Sequence, residues 1–325
     1  MDTRPQCEAG QVVIQGSFTA MGTVFETILV GRRKGEQACR ILLKLFADEI
    51  QRLESKLSYF DPDSIVTWVN RNAAKRPVRV DRELMHLIEM AIQFNELTDG
   101  AFDITMPPAM RRWRAKTPLN SLASLSSLRE ALHDVGSKNI VLDGPARTVQ
   151  FECSGLEIDF GGMGKGYALS VLAELARDSG VDAGLISFGG SSIFAWGGAQ
   201  IDRPGWRFAC HNSRIDWQHP MDVELINEGF SMSANFEVLK DDSAVDHLHV
   251  FDARTTKPVE PDRSVVVLHP DPLTAEMLST AVLIVGQTKG CVLLSQAGAR
   301  GFLSSTMDGK VKIDHIGSGV SFDEG

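Results

Sequence analysis

No stretch of this 325-residue chain approaches the roughly 20 consecutive apolar residues of a membrane-spanning helix. The first ten residues, MDTRPQCEAG, have neither a basic n-region nor an apolar core, so they predict a cytoplasmic protein with no signal peptide, lipid anchor or membrane span. Cysteine is scarce. The five present (Cys7, Cys39, Cys153, Cys210 and Cys291) are odd in number and far apart, and no C-x-x-C spacing occurs. That excludes a disulfide framework or a zinc cluster as the basis of the fold. Positive charge is also short: 33 Lys and Arg stand against 42 Asp and Glu, for a net charge of −9. Nucleic acid is therefore not an expected partner. Low-complexity tracts, internal repeats and Pro/Gly/Ser-rich linkers are missing too, which argues for one composite unit.

What is there suits a soluble enzyme-sized protein, with 43% hydrophobic residues and 29 glycines. VVIQG and TVFETILV predict strands, and Leu42, Leu45, Phe46, Ile50, Leu53 and Leu57 follow at helical spacing. A second helix is expected from Asp81 as N-cap to a stop at Gly100. NIVLD and TVQFE flank a Gly-Pro turn and predict a hairpin. A helix is expected over 165–179, capped by Gly180, and another from about 273 to 286, with GLISFGG, SSIFAWG, WRFAC, HLHVFD and SVVVLH as strands between and before them. The fold class is α+β, with mixed or antiparallel sheets and packed helices.

IDFGGMGKGYAL, residues 158–169, concentrates glycines and a lysine between a strand and a helix. Its spacing fits neither a Walker A loop nor G-x-G-x-x-G. Backbone N–H groups, a positive helix end and the Lys165 ammonium make it suited to an anion; a tight packing turn is the alternative. SFGGSS, residues 187–192, offers a second close backbone approach or an ordinary turn between strands. Asp103 and Thr105 would face one side of an extended segment and read a ligand's polar edge, or else form an Asx-type turn before the prolines. His249 and Asp252 pair a titratable ring with a carboxylate near a strand end, as a proton acceptor requires; a lone surface histidine is the alternative. Glu276 and Thr280 are four apart and project from one helix face with oxygen atoms suited to a hard cation. The alternative is a solvated glutamate near a helix start and a packed threonine.

Taken in order, MGT (21–23), LSYFDPDSIVTWVN (57–70), TDGAFDIT (98–105), IDFGGMGKGYA (158–168), SFGG (187–190), HVFDARTTKP (249–258) and AEMLSTA (275–281) resemble the FAD:protein FMN transferase, or ApbE-like, family. The resemblance runs over most of the chain. It implies a T-fold-related unit of two intertwined lobes around a cleft. It also implies FAD as substrate, Mg²⁺ with Mn²⁺ as the alternative, and transfer of FMN to a Thr or Ser hydroxyl of an acceptor protein with release of AMP. Met21, Tyr59, Asp103, Thr105, Gly161, Gly162, Lys165, Gly189 and Gly190 are implied around FAD. His249, Asp252 and Lys165 are implied in catalysis, and the Gly162 carbonyl, Glu276 and Thr280 at the metal.

Three positions depart from the family pattern. Glu276 stands where the family has a metal aspartate, Thr256 where D-P-x-T-G has glycine, and Ser170 where many members have aspartate. These departures keep open a second function, an FAD-binding protein that stores, senses or slowly hydrolyses FAD without modifying a partner.

Overall fold

The structure, a computed structural model, describes residues 11–32, 35–114, 135–199, 205–210, 221–235, 250–255, 257–259, 263–307 and 310–316. The class is α+β. The chain divides into two compact units, each drawn from separated segments: Met1–Glu54, Met163–Ala234 and Asp262–Gly325 in the first, Ser55–Gly162 and Asn235–Pro261 in the second.

An eight-stranded sheet organises the first unit, in the order β1 (Gln11–Ala20), β2 (Thr23–Arg32), β6 (Ala183–Phe188), β7 (Ser192–Trp196), β10 (Glu228–Asn235), β13 (Arg263–His269), β14 (Arg300–Met307) and β15 (Lys310–Ile316). β1 and β2 form a hairpin because Met21 and Gly22 both take positive φ, 50° and 72°, as a two-residue turn with the right twist demands. β6 is buried along its whole length. Apart from Ser187 its residues are Ala, Gly, Leu, Ile and Phe, which suits a strand covered on both faces. Leu185, Ile193, Phe230, Val266 and Phe302 belong to one core on this sheet, joined by Phe208 and Val223 of the hairpin β8 (Trp206–Cys210) and β9 (Met221–Leu225).

Helix α5 (Gly164–Asp178) packs on α6 (Pro272–Val285), and α6 lies against β13. α6 is buried on most sides, and its sequence is mainly apolar, with Thr274, Glu276, Ser279 and Thr280 as its polar residues. Asp271 caps it, accepting from Leu273 N and Thr274 N. Helices α1 (Glu36–Leu57) and α7 (Gln287–Ala297) complete the helices described around this sheet.

The second unit holds α2 (Ile65–Asn72), α3 (Arg82–Leu97), α4 (Pro107–Arg114) and a three-stranded sheet ordered β3 (Val78–Arg79), β5 (Thr148–Phe151), β4 (Ile140–Asp143). The expected hairpin forms, with Asp143 opposite Thr148. Asp81 caps α3 by accepting from Leu84 N, and Gly100 closes it at φ 77° with its N–H on Asn95 O. Of the predicted strand HLHVFD, Val250, Phe251 and Asp252 lie within the described residues, the last two as β11 (Phe251–Asp252) paired with β12 (Lys257–Pro258).

Candidate functional site

The glycine run enters α5 at Gly164, as the sequence predicts, with no side-chain cap from Met163. Its N–H groups are partly spoken for by the protein itself. Gly161 N donates to Asp159 Oδ1 at 3.0 Å, and Gly166 N makes a short bond to Glu276 Oε2. A Cβ at residue 166 would lie 2.7 Å from Glu276 Oε2 and 2.8 Å from Pro272 O, so glycine there is what lets α5 and α6 approach. The packing-turn alternative accounts for this glycine.

Lys165 Nζ stands 2.7 Å from Glu276 Oε1, with side-chain exposures of 24% for the lysine and 5% for the glutamate. Glu276 is thus neither the solvated helix-start residue of the simpler reading nor an unengaged ligand. A carboxylate so buried must be compensated, and an ammonium plus a backbone N–H does it. Ser192 Oγ contributes a weaker third contact at 3.4 Å.

Hydroxyl groups continue the polar strip along α6. Ser192 and Ser231 are cross-strand partners in β7 and β10. Ser231 Oγ lies 2.9 Å from Ser279 Oγ, Ser233 Oγ lies 2.8 Å from Ser279 Oγ, and Ser233 Oγ lies 3.2 Å from Thr280 Oγ1. Ser231 and Ser233 are two apart on a strand and so share a face, a signal present in the sequence as SMS. At the start of α6, Ser170 Oγ donates to Asp271 Oδ1 at 2.5 Å and accepts from Leu273 N at 3.1 Å. Ser170 therefore joins α5 to the cap of α6.

The β1–β2 turn that holds Met21 and the Gly189–Gly190 turn lie at the same end of the large sheet. Gly189 N donates to Val24 O at 2.8 Å, and a Cβ on Gly189 would fall 2.3 Å from Thr23 Oγ1. Both glycines have positive φ, 60° and 71°. Met21 N donates to Glu54 Oε1 at 2.8 Å, which ties this end to α1.

Within the second unit, residues 103–105 form a turn and not the extended segment that would put Asp103 and Thr105 on one side. Asp103 Oδ1 accepts from Thr105 N at 2.8 Å, Thr105 Oγ1 at 2.6 Å and Ser137 Oγ at 2.8 Å. Its Oδ2 accepts from Asn95 Nδ2 at 3.1 Å and Ser137 N at 3.0 Å. The Asx-type turn wins because a carboxylate with five donors around it satisfies local backbone that a strand would leave unpaired. Thr105 is fully buried and accepts from Gly136 N at 2.7 Å.

Tyr59 belongs to a triad invisible in the sequence. Its hydroxyl donates to Glu157 Oε2 at 2.6 Å, and Arg111 pairs with both, Nη2 lying 2.9 Å from Glu157 Oε1. Burial, then the hydrogen bond to Glu157, pushes the Tyr59 phenol up to about 12. The Glu157 contact likewise raises Arg111. Gly162 adjoins Phe102, whose Cε2 would lie 3.2 Å from an added Cβ. Asp252 holds Arg254 in a two-pronged pair, Oδ1 to Nε at 2.8 Å and Oδ2 to Nη2 at 2.7 Å. His249 and Thr256 lie outside the described residues. Among the described residues no group of three or more His, Cys, Asp or Glu side chains gathers as a metal cluster, and no helix is long and apolar enough to cross a membrane.

Comparison with known proteins agrees with the fold. The FAD:protein FMN transferase of Treponema pallidum is 27% identical over 290 residues, covering 85% of this chain and 80% of that protein. That of Klebsiella pneumoniae is 26% identical over 268 residues, covering 79% and 82%. The crystal structure of the ApbE protein of Thermotoga maritima matches with TM-score 0.80 at 26% identity, over 94% of this chain and 97% of that one. The apo flavinyl transferase ApbE of Pseudomonas stutzeri has the same fold, with TM-score 0.81 at 23% identity over 96% and 99%. The ApbE family profile matches residues 21–303, and the chain belongs to that family.

Proposed function

We propose that this chain is an FAD:protein FMN transferase, moving FMN from FAD to a Thr or Ser hydroxyl of an acceptor protein and releasing AMP. The observation that carries the reading is Lys165. It is a half-buried ammonium in the first turn of α5, paired with Glu276 Oε1 at 2.7 Å, at a helix end that favours an anion. Relatives named for this activity cover most of the chain.

In the reaction the acceptor hydroxyl oxygen bonds to the FMN-side phosphorus of FAD, and the phosphorus–oxygen bond to AMP breaks. The hydroxyl proton passes to a base, the role proposed for His249, with Asp252 three residues on in the sequence. Lys165 stabilises charge that develops on phosphate oxygens and on the departing AMP. The Glu276 carboxylate and the Thr280 hydroxyl one helical turn on are oxygen donors of the type Mg²⁺ or Mn²⁺ takes. A bound cation supplies further positive charge to phosphate oxygens.

The test combines the purified protein with FAD, Mg²⁺ and an acceptor domain bearing an unmodified threonine or serine. AMP together with a covalent FMN mass shift on the acceptor supports transfer. A second reading, FAD binding without transfer, is favoured by the engagement of both Glu276 oxygens within the protein. It predicts saturable FAD binding with no mass shift.

A further inference from the structure

Both oxygens of Glu276 are occupied: Oε1 by Lys165 Nζ at 2.7 Å and Oε2 by the N–H of Gly166. The lysine and glutamate form a neutral pair. A divalent cation cannot take the Oε1 position while the ammonium holds it, because two positive centres would share one buried oxygen. The carboxylate, 5% exposed, cannot go without a counter-charge. Lys165, 24% exposed and on a flexible four-carbon stem, has somewhere else to go.

We infer that Lys165 and a divalent cation are mutually exclusive partners of Glu276, and that cation binding releases the Lys165 ammonium to an anion. The charge count gives the exchange its consequence. The Lys165–Glu276 pair sums to zero, whereas carboxylate, dication and released ammonium sum to plus two, matching the two negative charges of a pyrophosphate diester. A cation thus turns a self-neutralised pair into a pyrophosphate site. The glutamate side chain reaches Lys165 and Gly166 together, and Gly166 leaves room for it. Thr280 is placed to follow the cation, because its hydroxyl is held by Ser233 at 3.2 Å, a long contact that is readily exchanged. The exclusion between Lys165 and the cation stands on the ion pair alone; the release to a pyrophosphate rests on the proposed function.

Mn²⁺, an oxygen-ligated dication with a paramagnetic signal, is the probe, added to the full chain without flavin. Free Mn²⁺ is counted by electron paramagnetic resonance. Lys165→Met should bind Mn²⁺ at least tenfold more tightly than wild type, and Glu276→Gln should abolish the site in both backgrounds. Equal affinity of wild type and Lys165→Met, or binding that survives Glu276→Gln, overturns the inference. Since Lys165→Met leaves a buried carboxylate unpaired and risks misfolding, wild type supplies a second readout. Saturating Mn²⁺ should raise the labelling of Lys165 by an amine reagent several-fold by mass spectrometry, and inorganic pyrophosphate should then suppress it. Unchanged labelling with Mn²⁺ bound overturns the exchange. Labelling that rises yet ignores pyrophosphate overturns only the release to an anion. Failure of FMN transfer to an acceptor would instead reject the proposed function and leave the exchange standing.

Discussion

Gly166 donates its backbone N–H to the Glu276 carboxylate, and a Cβ on residue 166 would sit 2.8 Å from Glu276 Cβ. One hydrogen from the glycine run of α5 thereby fixes the charged residue of α6. A methyl group at this point has no soft neighbour on the Pro272 O side, which is backbone. Gly166→Ala should destabilise the protein by about 1–3 kcal/mol, the usual cost of an overpacked core. Urea unfolding measures it, and an unchanged midpoint would mean that the two helices are farther apart in solution.

Ser170 tests the other end of the same helix contact. Ser170→Ala removes a donor to Asp271 and an acceptor for Leu273 N, a loss of about 1–2 kcal/mol. Ser170→Asp should be worse and not better, because it faces the Asp271 carboxylate that the serine now serves. A more stable Ser170→Asp variant would show that the α6 cap is rebuilt around it.

Tyr59 and Tyr167 are the chain's two tyrosines, so in Tyr167→Phe the tyrosinate absorbance reports Tyr59 alone. It should titrate near 12, against about 10 for an ordinary phenol. The raised value makes the folded state hold a proton that the unfolded state has lost between those two pH values. Stability contributed by Tyr59 is therefore complete below pH about 10 and declines as pH rises to about 12. Glu157→Gln should bring the titration down, since a charged acceptor is lost. A Tyr59 titration near 10 in Tyr167→Phe would mean that neither the burial of the phenol nor its bond to Glu157 persists.

Local signals were legible and distant ones were not. The Asp81 cap, the Gly100 stop and the 140–151 hairpin are written within a few residues of the structure they produce. The oxygen-bearing face of α6 was readable from the four-residue spacing of Glu276 and Thr280. That Glu276 is buried and paired was not, because Gly166 lies 110 residues away along the chain and Lys165 beside it. Helical spacing places a carboxylate on a face and is silent about which element covers that face. Nor does composition change at the junctions between the interleaved segments of the two units, whose assembly depends on long-range pairing. The Tyr59–Glu157–Arg111 triad, drawn from three separated segments, has no sequence motif at all. At Asp103 the sequence left an extended segment and an Asx-type turn open, and the turn prevailed because the carboxylate serves the backbone of residues 105 and 137.

Asp103 separates a scaffold role from a ligand role. Asparagine is nearly the same size, but its amide nitrogen donates where the aspartate oxygen accepts. In either orientation of the amide, donors now paired with one carboxylate oxygen would face another donor: Thr105 N, Thr105 Oγ1 and Ser137 Oγ on one side, or Asn95 Nδ2 and Ser137 N on the other. Unsatisfied partly buried donors cost about 1–3 kcal/mol each, so Asp103→Asn should lower the unfolding free energy by at least about 2 kcal/mol. Thr105→Val, which strands Gly136 N, should follow with a smaller loss of about 1–2 kcal/mol. Urea unfolding beside a flavin fluorescence titration decides between the roles. If Asp103→Asn unfolds at the wild-type midpoint while its affinity for FAD falls tenfold, the carboxylate is spent on the ligand and the turn is held by its remaining hydrogen bonds. A large loss of stability, with FAD affinity recovered at low temperature where the variant is folded, assigns Asp103 to the scaffold of the second unit.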